Sequence, residues 1–199
     1  MPRLIDHRRR ERDIGDAALR VLTIDGLAAL SVRRVAEEAG IATASLRRAF
    51  PTQDALRRFC LNRIRGDVNA RIQALHGEGA ELALSLLCEL LPLDEIRRTE
   101  LIVQLQFGSL ALTDPSVSEN VRDLHRDVRA VCAAALEEID RVALLRPGTD
   151  LDIETERLHG LLDGLAMHAL SQAAEASDRV VAVLKHHLKA ITTTDDRRP

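Results

Sequence analysis

The chain has 199 residues, 46% hydrophobic and 30% charged, and only 2% are aromatic, so Leu, Val, Ile and Ala must build a core of helical character. Three distant cysteines (60, 88, 132) without a CxxC pair indicate neither a disulfide framework nor a zinc module; neither the charged N-terminus nor the apolar run 101–113 has the pattern of a signal peptide or a bilayer span. The net charge of −3 hides a split: residues 1–66 carry 14 Lys+Arg against 8 Asp+Glu, residues 67–199 carry 14 against 23, a basic head on an acidic body.

Helical periodicity begins at about residue 9, where Ile14, Ala17, Ala18, Val21 and Leu22 share a face, and Gly26 ends the run. Ser31 caps a short helix with Val32, Val35, Ala36 and Ala39 at i, i+3, i+4, i+7. Gly40 supplies a positive φ, and Ile41 fills the space beneath the turn. A second short helix follows over about 43–50, with Leu46, Ala49 and Phe50 inward. Pro51 and Thr52 stop it, and a long helix runs over about 53–75.

The sequence His76-Gly77-Glu78-Gly79 is a breakable link near the expected boundary between domains 1–66 and 67–199. Beyond it, helices are expected over about 80–91, 94–112, 116–142, 152–173 and 178–191. The predicted fold class is therefore all-α: a three-helix head and a larger helical body, about nine helices in all, with a polar tail from 192.

Residues 31–50 have helix-turn-helix geometry, in which the second helix enters the major groove of DNA. Its outward face should carry Thr43, Ala44, Arg47 and Arg48, with Ser45 near the rim. Arginine can bond guanine O6 and N7 in bidentate fashion. Ser31, Arg33 and Arg34 are placed to meet phosphates.

At these residues the segment 17–56 resembles the TetR family of repressors. Gly26, Ser31, Val35-Ala36, Ala39-Gly40-Ile41, Ser45-Leu46, Phe50-Pro51 and Asp54-Ala55-Leu56 stand at the family's positions. The chain departs from that pattern at Ala42, Ala44, Arg47 and Ala49, and Gln53, a further DNA-contact candidate, stands in place of the lysine that meets phosphate at the start of the fourth helix. The segments RRTELIVQLQFGSLALTDPSV and LHGLLDGLAMHAL are similar to the C-terminal domain of BetI-type members. The resemblance implies a homodimeric cytoplasmic regulator, a repressor or an activator, that binds double-stranded operator DNA and is released by a small-molecule effector.

Polar residues within apolar helices are candidates for the effector pocket: Gln104 and Gln106 beside Phe107, with His125, Arg129, His159, Asp163 and His168. His159 and Asp163 can pair at i, i+4, whereas His186 and His187 are expected in solvent. Dimer contacts are expected from stripes on the last two helices: Leu158, Leu161, Leu162 and Leu165, then Val181, Leu184 and Leu188, with Gly160 and Gly164 permitting close packing. The alternative is that both stripes face the chain's own core.

No P-loop, GxSxG, HExxH or GxGxxG motif occurs, so no enzyme, catalytic residue, metal or cofactor is expected. The rival function is a helical small-molecule-binding or protein-interaction module that does not bind an operator.

Overall fold

The computed structural model describes residues 2–171 and 176–193. Among them are nine α-helices and no strand beyond one isolated bridge, Leu145 to Thr192. The helices are α1 (Pro2–Ile24), α2 (Val32–Glu38), α3 (Thr43–Ala49), α4 (Gln53–Gln73), α5 (Gly79–Cys88), α6 (Glu95–Ala111), α7 (Pro115–Arg141), α8 (Leu151–Ser171) and α9 (Ala176–Ile191). A 3-10 turn, Leu27–Ala29, joins α1 to α2. The polar tail expected from 192 lies, beyond Thr193, outside the described residues.

The first helix starts seven residues earlier than its periodicity suggests. Pro2 opens it, and proline is tolerated in a first turn because that N–H has no partner to lose. The Arg-rich stretch after it favours helix without offering a periodic apolar face to count.

The chain divides into two compact units, Met1–Asp67 with Thr99–Asp123, and Val68–Arg98 with Leu124–Pro199. In the first, Ile14, Ala17, Ala18, Val21 and Leu22 of α1 are buried with Val35, Ala36, Leu46, Leu56 and Ile64. The Arg63 guanidinium lies over Gly15, reaching the Arg12 carbonyl and Asp16 while its Nε donates to Asp67 at 2.6 Å, so α1 is held on α4. Residues 99–123 join this unit through named contacts. Gln106 donates to the Leu22 carbonyl at the end of α1 (3.0 Å), and Arg57 bridges Asp54 (3.3 Å) and Asp114 (3.1 Å). Gln106 is thus spent on an orphan helix-end carbonyl.

The second unit packs α5, the C-terminal part of α7, α8 and α9 around Leu87, Leu136, Ile139, Leu158 and Leu184, all fully buried. Glu138 of α7 accepts from the Gly79 N–H at the start of α5 (2.6 Å) and pairs with Arg141 (2.7 Å). The end of α9 is pinned to the α7–α8 turn by Thr193 N–H on the Leu144 carbonyl and Arg146 N–H on the Ile191 carbonyl. Cys60 and Cys132 are buried, and Cys88 is half-buried. Burial pushes the Cys60 and Cys132 thiols up to about 12 and raises Cys88 as well.

Candidate nucleic-acid interface

The site is built on α2 and α3. Ser31 has extended backbone geometry, and its hydroxyl accepts from the Arg34 N–H at 3.2 Å, capping α2. At the other end Gly40 takes φ +65°, its N–H bonds the Glu37 carbonyl, and Ile41 N–H bonds the Ala36 carbonyl. This pair of bonds closes the helix through a left-handed residue. It turns the chain so that α3 starts at Thr43 with Ala42 as a cap lacking a side-chain bond. Buried Leu46 roots α3 in the core shared with Val35 and Ala36.

With Leu46 inward, the rest of α3 is outward. Ala44, Arg47 and Arg48 are exposed, and Thr43 and Ser45 are half-buried. Ala49, expected inward, is exposed, because the seven-residue helix has room for one core anchor and Phe50 takes the place beside it. The Phe50 ring packs on Phe59 of α4, centroids 4.8 Å apart and tilted by 52°. Arg33, Arg47 and Arg48 have no carboxylate partner among the described residues, so their charge is available to an outside anion.

Two residues expected to meet phosphate are committed inside the head. Arg34 donates to Asp25 at 2.8 Å and to Glu38 at 3.3 Å, and Asp25 is the main reason its pKa is raised. The Gln53 amide donates to the Leu30 carbonyl at 2.6 Å, tying the start of α4 to the loop before α2. Leu30, almost fully buried, escaped the sequence reading because it lies in a non-periodic connection. Arg10 of α1 also escaped it: its Nη2 donates to the Ser45 hydroxyl on α3.

The effector-pocket candidates are divided between the two units. Gln104 is half-buried on α6 and Phe107 is a fully buried core residue of the first unit. In the second unit Arg129 is held at the surface by Glu156 (2.6 Å) and Asp152 (3.3 Å), while Asp163 and His168 are exposed on α8. His159 and Asp163 do approach, at 3.8 Å, and the His159 ring lies 5.9 Å from that of His125. His187 is half-buried rather than solvated, 3.1 Å from the buried Glu154 carboxylate.

The leucine stripes are placed differently too. Leu158, Leu162, Leu165, Leu184 and Leu188 are buried by their own chain and offer no surface to a partner, while Leu161 and Val181 are half-buried. The residues that α8 leaves open include Ile153, Gly160, Gly164 and Met167, with nothing within 4 Å of where a Cβ would stand at either glycine. On α9 the open residues include Ala182 and Val183. The i, i+3, i+4 pattern could not separate these two faces, because leucine density favours the inner one whatever covers the outer.

Residues 14–58 match the family described as bacterial regulatory proteins, tetR family, and residues 79–193 match the BetI-type transcriptional repressor, C-terminal. The chain belongs to the TetR family. A relative, the HTH-type transcriptional regulator PksA of Bacillus subtilis (strain 168), is 33% identical over 201 residues, covering 99% of this chain and 97% of PksA. Among solved structures, a TetR transcription regulator from Haloarcula marismortui aligns with TM-score 0.80 at 22% identity, over 94% of this chain and 100% of that one. A transcriptional regulator from Saccharomonospora viridis, solved in complex with choline, aligns with TM-score 0.74 at 21% identity, over 94% and 99% of the two chains. This TetR-family member is accordingly a DNA-binding transcriptional regulator, with α2–α3 as its helix-turn-helix. Among the described residues no helix is long and apolar enough to cross a membrane, and no group of three or more His, Cys, Asp or Glu is placed to hold a metal.

Proposed function

We propose that the protein is a cytoplasmic, non-catalytic homodimeric repressor whose two heads, residues 1–66, occupy successive major grooves of an operator. The observation that carries this reading is the face of α3: Thr43, Ala44 and Ser45 let the helix tip approach base edges, and Arg47 and Arg48 stand exposed without internal partners. Arg47 replaces an aromatic of the family pattern and is suited to guanine readout. Arg33, and the N-terminus of α2 at Ser31, meet backbone phosphate.

Two heads must sit about 34–36 Å apart to read successive major grooves, so a partner subunit is needed. We assign that contact to the open faces of α8 and α9 around Gly160, Gly164 and Val183, where the missing side chains allow two helices to come close. The body, residues 67–199, binds a small effector, and α4 runs unbroken from head residues into body residues, which suits it to pass on the change. A coupling of ~1–3 kcal/mol changes operator affinity ~5–150-fold.

Choline fits this chain poorly. Quaternary ammonium groups are held by aromatic cages, and the chain has three Phe and no Tyr or Trp, two of those Phe packed together in the head. The test is a gel shift with DNA flanking the coding region, followed by a ligand panel. Specific retardation, relieved by one ligand class, is expected. Absence of any salt-sensitive DNA binding overturns the reading.

A further inference from the structure

The cleft between α1, α3 and α4 has a volume of about 420 Å3. Ile14, Leu46, Phe50 and Phe59 form its apolar lining, and Arg10 and Arg48 stand on it from α1 and α3. Ser45 and Glu11 complete the polar lining, and Glu11 has a contact of its own. Arg10 spends one donor on the Ser45 hydroxyl. A guanidinium has five N–H donors in a fixed fork, so most of that fork remains for an outside acceptor.

We propose that this cleft is a second DNA-contact site, in which Arg10 and Arg48 together grip a backbone phosphate of the duplex flanking the bases read by α3. The inference rests on the reading of α3 as the groove-entering helix. Three observations converge on it. The side chains of α2 and α4 that stand at phosphate-contact positions are already engaged, Arg34 by Asp25 and Glu38, and the neutral Gln53 by its bond to Leu30. Arg10 has no carboxylate partner among the described residues, and neither has Arg48. The bond to Ser45 holds the Arg10 head group on α3, whose Arg48 lines the same cleft.

A phosphate contact is sequence-independent and leaves a specific mark. Each one neutralised on B-DNA contributes about 0.9 to the slope of log affinity against log salt. The experiment measures binding of the full-length protein to a 30-base-pair mixed-sequence duplex across a salt series. It compares wild type, Arg10→Gln and Arg122→Gln, the last an exposed arginine of α7 that controls for net charge. Glutamine at 10 keeps a donor for Ser45, and a melting curve checks that the head stays folded.

The expected result is a slope lower by about 0.9 per protomer for Arg10→Gln, equal on duplexes of different sequence, with Arg122→Gln unchanged. If wild type binds and Arg10→Gln keeps the full slope, Arg10 only ties α1 to α3 and the inference falls while the proposed function stands. If both variants lower the slope alike, the effect is general charge and the inference falls. If wild type binds no duplex at any salt, the proposed function falls with it.

Discussion

The Gln53 side-chain amide donates to the Leu30 carbonyl at 2.6 Å, joining the first residue of α4 to the loop that enters the helix-turn-helix. The bond closes a buried turn whose carbonyl has no helical or strand partner to satisfy it, and it engages the amide that stands where the family resemblance places a phosphate-binding lysine. Gln53→Ala is therefore expected to lower the melting stability by about 1 kcal/mol, the usual value of one such bond. The salt slope of DNA binding should stay the same. A lower slope with unchanged melting would mean that the amide leaves Leu30 for the duplex.

Gly40 closes α2 at φ +65° with nothing within 4 Å of its missing Cβ. Space is not the obstacle there; backbone conformation is. Gly40→Ala should cost about 1–2 kcal/mol, and Gly40→Val more, because a β-branched residue resists the left-handed region further. Thermal melting checks the order, and equal stability of the three proteins would refute it.

The open face of α8 gives a test of assembly. Nothing approaches the vacant side-chain position at Gly164, so Gly164→Arg fits the lone subunit without a clash. It should leave the helical circular dichroism signal intact while sedimentation shifts from dimer to monomer. The reverse substitution pattern, Leu158→Ala, acts inside the subunit: Leu158 is fully buried, and the cavity should cost about 2–5 kcal/mol. A dimer that survives Gly164→Arg places the interface elsewhere.

Acid exposes another joint. Arg141, together with the Gly79 N–H, holds the Glu138 carboxyl at about 2, down from 4.5. A carboxylate with a depressed folded value stabilises the protein fully above its unfolded value and loses that contribution as pH falls through the folded one. The link between α5 and α7 should thus weaken between about pH 4.5 and pH 2. Glu138→Gln should flatten the stability profile across that window, and an unchanged profile would count against the assignment.

The helix ends were legible because they are local. Ser31, Gly26, Gly40, Pro51 and the Asp114-Pro115 pair set backbone geometry by their own chemistry, and α2 to α9 fall within a few residues of where the sequence puts them. The face of α3 was legible for the same reason: with Leu46 buried, Arg47 and Arg48 have nowhere to go but out. What the sequence could not reveal depends on distant partners. Arg34 and Arg129 look like free cations until Asp25, Glu38, Glu156 and Asp152 are brought beside them. Gln106 looks like a pocket residue until the end of α1 arrives at its amide. Arg10 lies 35 residues from Ser45, and no periodicity signals that meeting.

The thiols have a consequence for the kind of signal the protein can receive. All three are shifted towards the protonated form, Cys60 and Cys132 as far as about 12. Oxidants and electrophiles attack the thiolate, so at neutral pH they find little to react with. A stimulus that modifies a thiol is disfavoured at these positions. That suits the proposed regulator to a ligand that binds and leaves without making a covalent bond.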